Sequence, residues 1–430
     1  MGLKKVKVGL IGLGTVGGGV VEILDAHRED FKRRAGVDVE LSRFADRNAA
    51  RFTELGLDLG RCTTDAFEVI ADPDIDVIVE LIGGTGIALE VCRATLEAGK
   101  HLVTANKAIM ATAGHELIKT AEEKGLALRF EASVGGGIPI IGPLKRSLIS
   151  NEISRVMGIV NGTTNYILSA MTTDGISYQD ALSQAQALGY AEADPSADID
   201  GADAAAKIAI LSTIAFNTTL TMDKVFTEGI ATIDPSDIRY AQEYGYAIKL
   251  LALGSRTPEG VVLRVHPTLI PKSHPLAHVN GVDNAIYVVG DAVGETMFFG
   301  PGAGAGAAAS AVVADVIEIA RDIDRGVATT RCSCVDTLAV CPFDDLSTRY
   351  YIRLVVEDKS GVLAKTANEF AVHNVSIESL IQHGHVDEGF AEIAYVTHMA
   401  KESDVQSAIA RIKDLDVVRE VASVIRVEEL

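Results

Sequence analysis

The stretch KVKVGLIGLGTVGGGVVEILDAHRED, residues 5–30, decides the fold of this chain. Val6, Val8, Leu10 and Ile11 give a short apolar run. Gly12, Gly14 and Gly17 then fall at the spacing G-x-G-x-x-G, and a helical pattern follows at once. In such a turn the first glycine permits the tight bend and the second lets the backbone approach a pyrophosphate. The third lets helix and strand pack closely, and the helix N-terminus faces the phosphates. A lone G-x-G-x-x-G says little. This one lies between a strand and a helix at the head of a βαβ series, the context the reading requires. We expect Gly12, Leu13, Gly14, Thr15, Val16 and Gly17 to bind a dinucleotide, NAD or NADP.

Outward from this turn the alternation continues. VDVELSRFADR (37–47), DIDVIVELIGG (74–84), KHLVTANKA (100–108) and ALRFEASV (127–134) read as strands, with helical segments such as ALEVCRATLEAG (88–99) between them. Strands alternating with helices over about 130 residues indicate a parallel α/β sheet. At the end of the second strand, Asp46 suits a ribose 2′-hydroxyl and Arg47 a 2′-phosphate, so the choice of cofactor stays open. Lys107, after the fourth strand, falls where open parallel sheets bind ligands, beyond the strands' carboxyl ends.

The pattern changes after GGGIPIIG (135–142) to mixed α+β. PIIGPLKRSLIS (139–150) looks helical, EISRVMGIVNGTTNYIL (152–168) runs from strand to turn to helix, and GPGAGAG (300–306) is a second glycine turn before a long helix. Residues 326–347 show no period and read as a linker. From Tyr350 on, strand, helix, strand, strand, helix and strand follow in about 80 residues, the ferredoxin-like βαββαβ order. The expected domains are 1–132 for the dinucleotide, 133–325 for substrate, catalysis and dimerisation (with helix 304–323 packing back on the first domain), and 348–430 for a regulatory unit.

A net charge of −20 provides no basic stripe for phosphates, which argues against nucleic acid as a partner. No run approaches a bilayer span, and the N-terminal apolar run is too short and glycine-rich for a signal peptide. The cysteines, Cys62, Cys92, Cys332, Cys334 and Cys341, are odd in number and scattered, a poor disulfide framework; a reducing, cytoplasmic setting is expected. Cys332, Cys334 and Cys341 cluster without a nearby histidine and make a weak zinc site.

GYAEADPSADIDGADAAAK, residues 189–207, concentrates the polar chemistry. It reads either as a solvated acidic loop or as a pocket for a cationic group. Asp203 and Lys207 are four apart and share a helix face, a pairing worth only a few tenths of a kcal/mol by itself. A lysine heading the apolar AAAKIAILSTIAF helix is the sharper signal, because it suits proton transfer.

Taken in order, GLGTVG, TANKA, EASVGGGIPII, NGTTNYIL, GYAEADPSADIDGADAAAK and GPGAGAGAAASAVVAD resemble homoserine dehydrogenase over essentially the whole chain. DKSGVLAKTANEF with HNVSIESLIQ resembles an ACT domain, a small amino-acid-sensing module. The resemblance implies reversible NAD(P)H-dependent reduction of L-aspartate 4-semialdehyde to L-homoserine, in threonine, methionine and isoleucine synthesis. It implies Lys207 as general acid with Lys107 beside it, and Glu192, Asp198, Asp203, Gly189 and Thr163 at the substrate. Asn161 and Gly302 are implied at the cofactor, beside Arg47 and Lys107. Glu131, Val134, Gly136 and Ile138 would hold a monovalent cation, Na+ or K+, largely through backbone oxygens. Asp358, Gly361, Val362, Leu363 and Asn374 would take a threonine effector. A homodimer or homotetramer is implied, and no kinase-sized segment is expected before Met1. Two other readings compete: a reductase for another amino-acid semialdehyde, and a nucleotide-sensing regulator with a catalytically silent first domain. The lysines and the acidic set argue against the second.

Overall fold

The computed structural model describes residues 3–327, 334, 337–387 and 389–428. The chain divides into two compact units. One comprises Met1–Val156, Ala206–Lys224 and Asn284–Leu338; the other comprises Met157–Ala205, Val225–Asp283 and Ala339–Leu430.

In the first unit the Lys5–Ile11 strand buries Val6, Val8, Leu10 and Ile11, because helices cover both faces of a parallel sheet. Six strands order as Cys62–Thr63, Asp38–Ala45, Lys5–Ile11, Val77–Glu80, His101–Thr104 and Leu128–Arg129, all paired in parallel. This is the Rossmann order, and it reverses between the first strand and Val77–Glu80, the position where such sheets bind ligands. The expected α/β class therefore holds. The fifth sequence-predicted strand shrinks to Leu128–Arg129, and the helix expected over 139–150 to Ile141–Lys145. Pro143 and Gly142 sit inside that short helix, and both are poor helix formers.

The Thr15–Ala35 helix packs against the Ala305–Arg325 helix, with Val20 and Leu24 in one core with Val312, Val316 and Ile319. Gly19 permits the contact: a Cβ there would lie 2.9 Å from that of Ala309.

In the second unit six strands order as Tyr246–Thr257, Gly260–Pro271, Val418–Val427, Ser347–Glu357, Phe390–Thr397 and Ile377–Asp387. The last four are the C-terminal βαββαβ set in the 4-1-3-2 order that split βαβ units adopt. This sheet does not end at its own boundary. Thr268 and Leu269 pair in parallel with Arg426 and Val427, which joins the C-terminal set to the Tyr246–Pro271 hairpin.

Part of the expected linker is structured. Val340 bridges Val261, the Cys341 amide donates to the Val261 carbonyl at 2.8 Å, and Phe343–Asp345 forms a 3₁₀ turn. Gly260 allows this approach, since a Cβ would meet the Ala339 carbonyl at 2.1 Å. Cys334 Sγ donates to the Thr213 carbonyl at 3.6 Å, and Cys341 is a free thiol; Cys332 lies outside the described residues. Among the described residues, no group of three or more His, Cys, Asp or Glu is placed to hold a metal, and no helix is long and apolar enough to cross a membrane.

Candidate active site

The fingerprint glycines differ in what surrounds them. Gly12 has φ +96°, and a Cβ there would strike the Leu81 carbonyl at 2.6 Å. A Cβ on Gly17 would lie 2.1 Å from the Gly12 oxygen. Gly14, at the N-terminus of the Thr15–Ala35 helix, has nothing within 4 Å. Two glycines are thus demanded by crowding within the chain, and the one expected to admit a pyrophosphate faces open space. Beside it lies a cavity of about 390 Å³ lined by Gly12, Gly14, Asp46, Arg47, Asp65 and Ile82 among others. Its chemistry fits a dinucleotide.

The Asp46 carboxylate already accepts the Leu13 amide at 2.6 Å and the Asn48 amide at 2.8 Å, so it braces the glycine turn. Arg47 is exposed on the same wall.

Glu80 was not singled out in the sequence, where it closes an apolar strand. Its buried carboxylate accepts from the Ile82 amide (2.7 Å) and the Thr104 hydroxyl (2.6 Å), tying two strand ends together. Burial raises its pKa, against the hydrogen bonds from Thr104 and the backbone. Asn106 extends the brace: its amide donates to the Gly84 carbonyl at 2.7 Å, and its oxygen caps the Lys107–Glu123 helix through the Ile109 amide. Lys107 is exposed at the first position of that helix.

At the expected cation corner, the Glu131 carboxylate accepts from the amides of Ile140, Ile141 and Gly142 at 2.6–2.7 Å. It thereby holds the start of the Ile141–Lys145 helix. Gly136 has φ +54°, and a Cβ there would meet the Gly302 carbonyl at 2.4 Å, so the two glycine-rich turns touch.

In the second unit the acidic stretch converges on one side chain. Asn161 caps the Gly162–Asp174 helix through Oδ1, accepting the Thr164 amide at 2.9 Å. Its Nδ2 donates to Asp198 Oδ1 at 2.7 Å and Asp203 Oδ2 at 2.9 Å. The Asn161 side chain, expected at the cofactor, also organises the carboxylates. Thr163 donates to the Tyr190 carbonyl at 2.7 Å, fixing the turn at Gly189, which has φ +75°. Glu192 is exposed. Asp194 accepts from the Ser196 amide at 3.1 Å and caps its own turn. One amide thus draws two carboxylates together, chemistry that suits a ligand ammonium.

Lys207 lies one turn after Asp203 on the Ala202–Ala215 helix and is half-buried, between the buried Ala206 and Ile208.

Beneath the Gly162–Asp174 helix, Lys249 donates to Val279 O (2.5 Å), Asn280 Oδ1 (2.9 Å) and Asn165 Oδ1 (3.2 Å). Burial brings its pKa down to about 8.

The expected effector residues lie at both ends of one helix. Gly361, with φ +89°, precedes the Val362–Val372 helix, while Asn374, with φ +60°, follows it. Eleven residues of helix put the two ends about 16 Å apart within one chain. Asn374 serves the left-handed turn that ends the helix.

The family model described as "Homoserine dehydrogenase" matches residues 139–317, "Homoserine dehydrogenase, NAD binding domain" residues 12–131, and "ACT domain" residues 350–417. A homoserine dehydrogenase of Neisseria gonorrhoeae is 45% identical over the whole of both chains. The crystal structure of a homoserine dehydrogenase from Thiobacillus denitrificans superposes with a TM-score of 0.94 at 42% identity, covering 99% of each chain. A hyperthermophilic archaeal homoserine dehydrogenase mutant in complex with NADPH is similar over 74% of this chain and 98% of its own, with a TM-score of 0.64 and 28% identity.

Proposed function

The chain belongs to the homoserine dehydrogenase family of NAD(P)-dependent oxidoreductases, and from that premise we propose how its residues divide the work. The reaction is the reversible reduction of L-aspartate 4-semialdehyde to L-homoserine, supplying threonine, methionine and isoleucine synthesis in the cytoplasm. The observation that carries this reading is the Asn161 amide holding Asp198 and Asp203 together, a ready-made acidic seat for an amino-acid ammonium.

Gly12–Gly17, Gly302 and Arg47 would hold the dinucleotide, which would supply or accept the hydride. The protein's own task is to handle charge at the substrate. Asp198, Asp203 and Glu192 hold the ammonium, while Thr163 and Gly189 shape the loop that presents them. As the aldehyde oxygen becomes an alkoxide, Lys207 donates a proton to it and Lys107 stabilises the developing negative charge. In the oxidative direction Lys207 takes the hydroxyl proton back.

The exposed Arg47, with Asp46 engaged by the backbone, favours NADP over NAD. A monovalent cation at Glu131, Val134, Gly136 and Ile138 would be held chiefly through main-chain oxygens. The C-terminal set, an ACT domain, senses threonine at Asp358, Gly361, Val362, Leu363 and Asn374, where a helix start suits a carboxylate. Domain limits at 1–132, 133–325 and 348–430 and assembly as a homodimer or homotetramer complete the reading.

The test is homoserine-dependent reduction of NADP+ followed by absorbance. Lys207→Ala is expected to lower kcat by about 10² to 10⁴. A kcat within a few-fold of wild type rejects Lys207 as the proton donor.

A further inference from the structure

The substrate-loop carboxylates are not supported by Asn161 alone. Behind them the chain comes so close to itself that only glycine fits. A Cβ on Gly229 would lie 2.3 Å from the Ile199 carbonyl and 2.8 Å from the Asp200 Cα, and the Ile230 amide donates to that same Ile199 carbonyl at 3.0 Å. A Cβ on Gly201, φ +88°, would in turn crowd Thr227 at 2.9 Å. The segment 227–230 is therefore a template on which the stretch from Asp198 to Asp203 is laid.

That template is anchored by charge. Glu228, next to Gly229, accepts from Arg426 Nη1 at 2.6 Å. Arg426 is buried near the end of the Val418–Val427 strand; its Nε and Nη2 donate to Glu402 at 2.9 and 2.7 Å. Its guanidinium also lies against the stacked rings of Phe226 and Phe343. Arg426 is held from three sides, so it acts as a fixed point, and Glu228, two-fifths exposed, reaches from it to the template.

We propose that Glu228 is a positioning residue for the substrate carboxylates, gripped by Arg426 so that the last strand of the C-terminal sheet sets the register of the loop carrying Asp198 and Asp203. It acts through Gly229 and Ile230 and touches no substrate. Its loss acts on homoserine affinity and leaves proton transfer intact. The proposal rests on the reading of Asp198 and Asp203 as substrate ligands.

The experiment uses the full chain. Initial rates against homoserine at saturating NADP+ are compared for wild type, Glu228→Ala, Glu228→Gln and, as a control on the pocket, Asp203→Asn. Glu228→Ala is expected to raise KM for homoserine about five-fold or more, within the range of site-to-site couplings, with kcat within about two-fold of wild type and KM for NADP+ unmoved. Glu228→Gln keeps an acceptor for Arg426 and is expected to recover most of the affinity. If Asp203→Asn raises KM and Glu228→Ala does not, the positioning role is overturned and the pocket stands. If neither moves KM, the pocket reading fails and takes the proposal with it. A Glu228→Ala protein with lowered kcat and melting temperature at unchanged KM shows a purely structural role and overturns it equally.

Discussion

Asn161 Nδ2 lies 2.9 Å from Asp203 Oδ2 and 2.7 Å from Asp198 Oδ1, so one amide holds two carboxylates from different turns of the acidic stretch. The same side chain starts the helix that follows it, through the Thr164 amide. Helix entry and pocket charge are thereby fixed together.

Asn161→Asp separates these two jobs. Aspartate caps a helix about as well as asparagine, so the melting temperature is expected to hold within a few degrees. It cannot donate, however, and it adds a third negative charge beside Asp198 and Asp203. The carboxylates should then splay, with kcat/KM for homoserine falling at least about ten-fold, mostly through KM. Steady-state kinetics beside a thermal melt checks this; unchanged kcat/KM would show that the amide does not organise the pocket.

Arg47 offers a test of cofactor choice. Its neighbour Asp46 is engaged by the Leu13 and Asn48 amides, which leaves the arginine as the charged group on that wall of the cavity best placed for a 2′-phosphate. Arg47→Ala is expected to raise KM for NADP+ about ten-fold, the worth of one charge-assisted hydrogen bond, with KM for NAD+ nearly unchanged. Equal effects on both cofactors would remove Arg47 from the phosphate.

What the sequence made legible follows from the range of each constraint. Gly12 and Gly17 are required by contacts within the turn or with the adjacent strand end, so a local spacing reports them. The Asn161 network spans 37 and 42 residues, and no spacing carries that information; locally, Asn161 is simply a helix cap. Glu80 hides at the end of the apolar VIVE run, and its role emerges only when Thr104 arrives on the neighbouring strand. The Tyr246–Thr257 strand was missed for a related reason: Lys249 interrupts its apolar pattern, and only the acceptors at Asn165, Val279 and Asn280 make a buried lysine tolerable there. The βαββαβ order was plain from periodicity, whereas its edge pairing at Thr268 and Arg426 depends on tertiary placement.

A buried ionic cluster joins the Pro235–Glu243 helix to two strands of the C-terminal set. Arg353 donates to Asp237 and Glu392, each at 2.7 Å, and Tyr351 and Tyr240 donate to the same carboxylates. Asp237 is fully buried and Glu392 nearly so. Arg353→Met would strand both charges, a loss of about 3–5 kcal/mol for a buried pair. Denaturant unfolding measures it, and a loss below about 1 kcal/mol would mean that water reaches the cluster. For the same reason, truncation at about residue 348 is expected to damage the second unit rather than simply remove a sensor.

Lys249 gives the pH dependence. Its pKa is brought by burial from 10.5 to about 8, so between those values the unfolded chain binds the proton more tightly than the folded one. Stability from this group therefore rises with pH across that window and is lowest below about pH 8, where the buried ammonium must be carried into the fold. Lys249→Met lacks the titration. It is destabilised at every pH, because Val279, Asn280 and Asn165 lose their donor. Guanidinium unfolding at about pH 7.5 and about pH 9.5 should show the wild type gaining about 2 kcal/mol on the variant between the two, from the pKa difference by linkage. A gap that stays constant would mean that Lys249 keeps an ordinary lysine pKa, with its three acceptors offsetting the cost of burial.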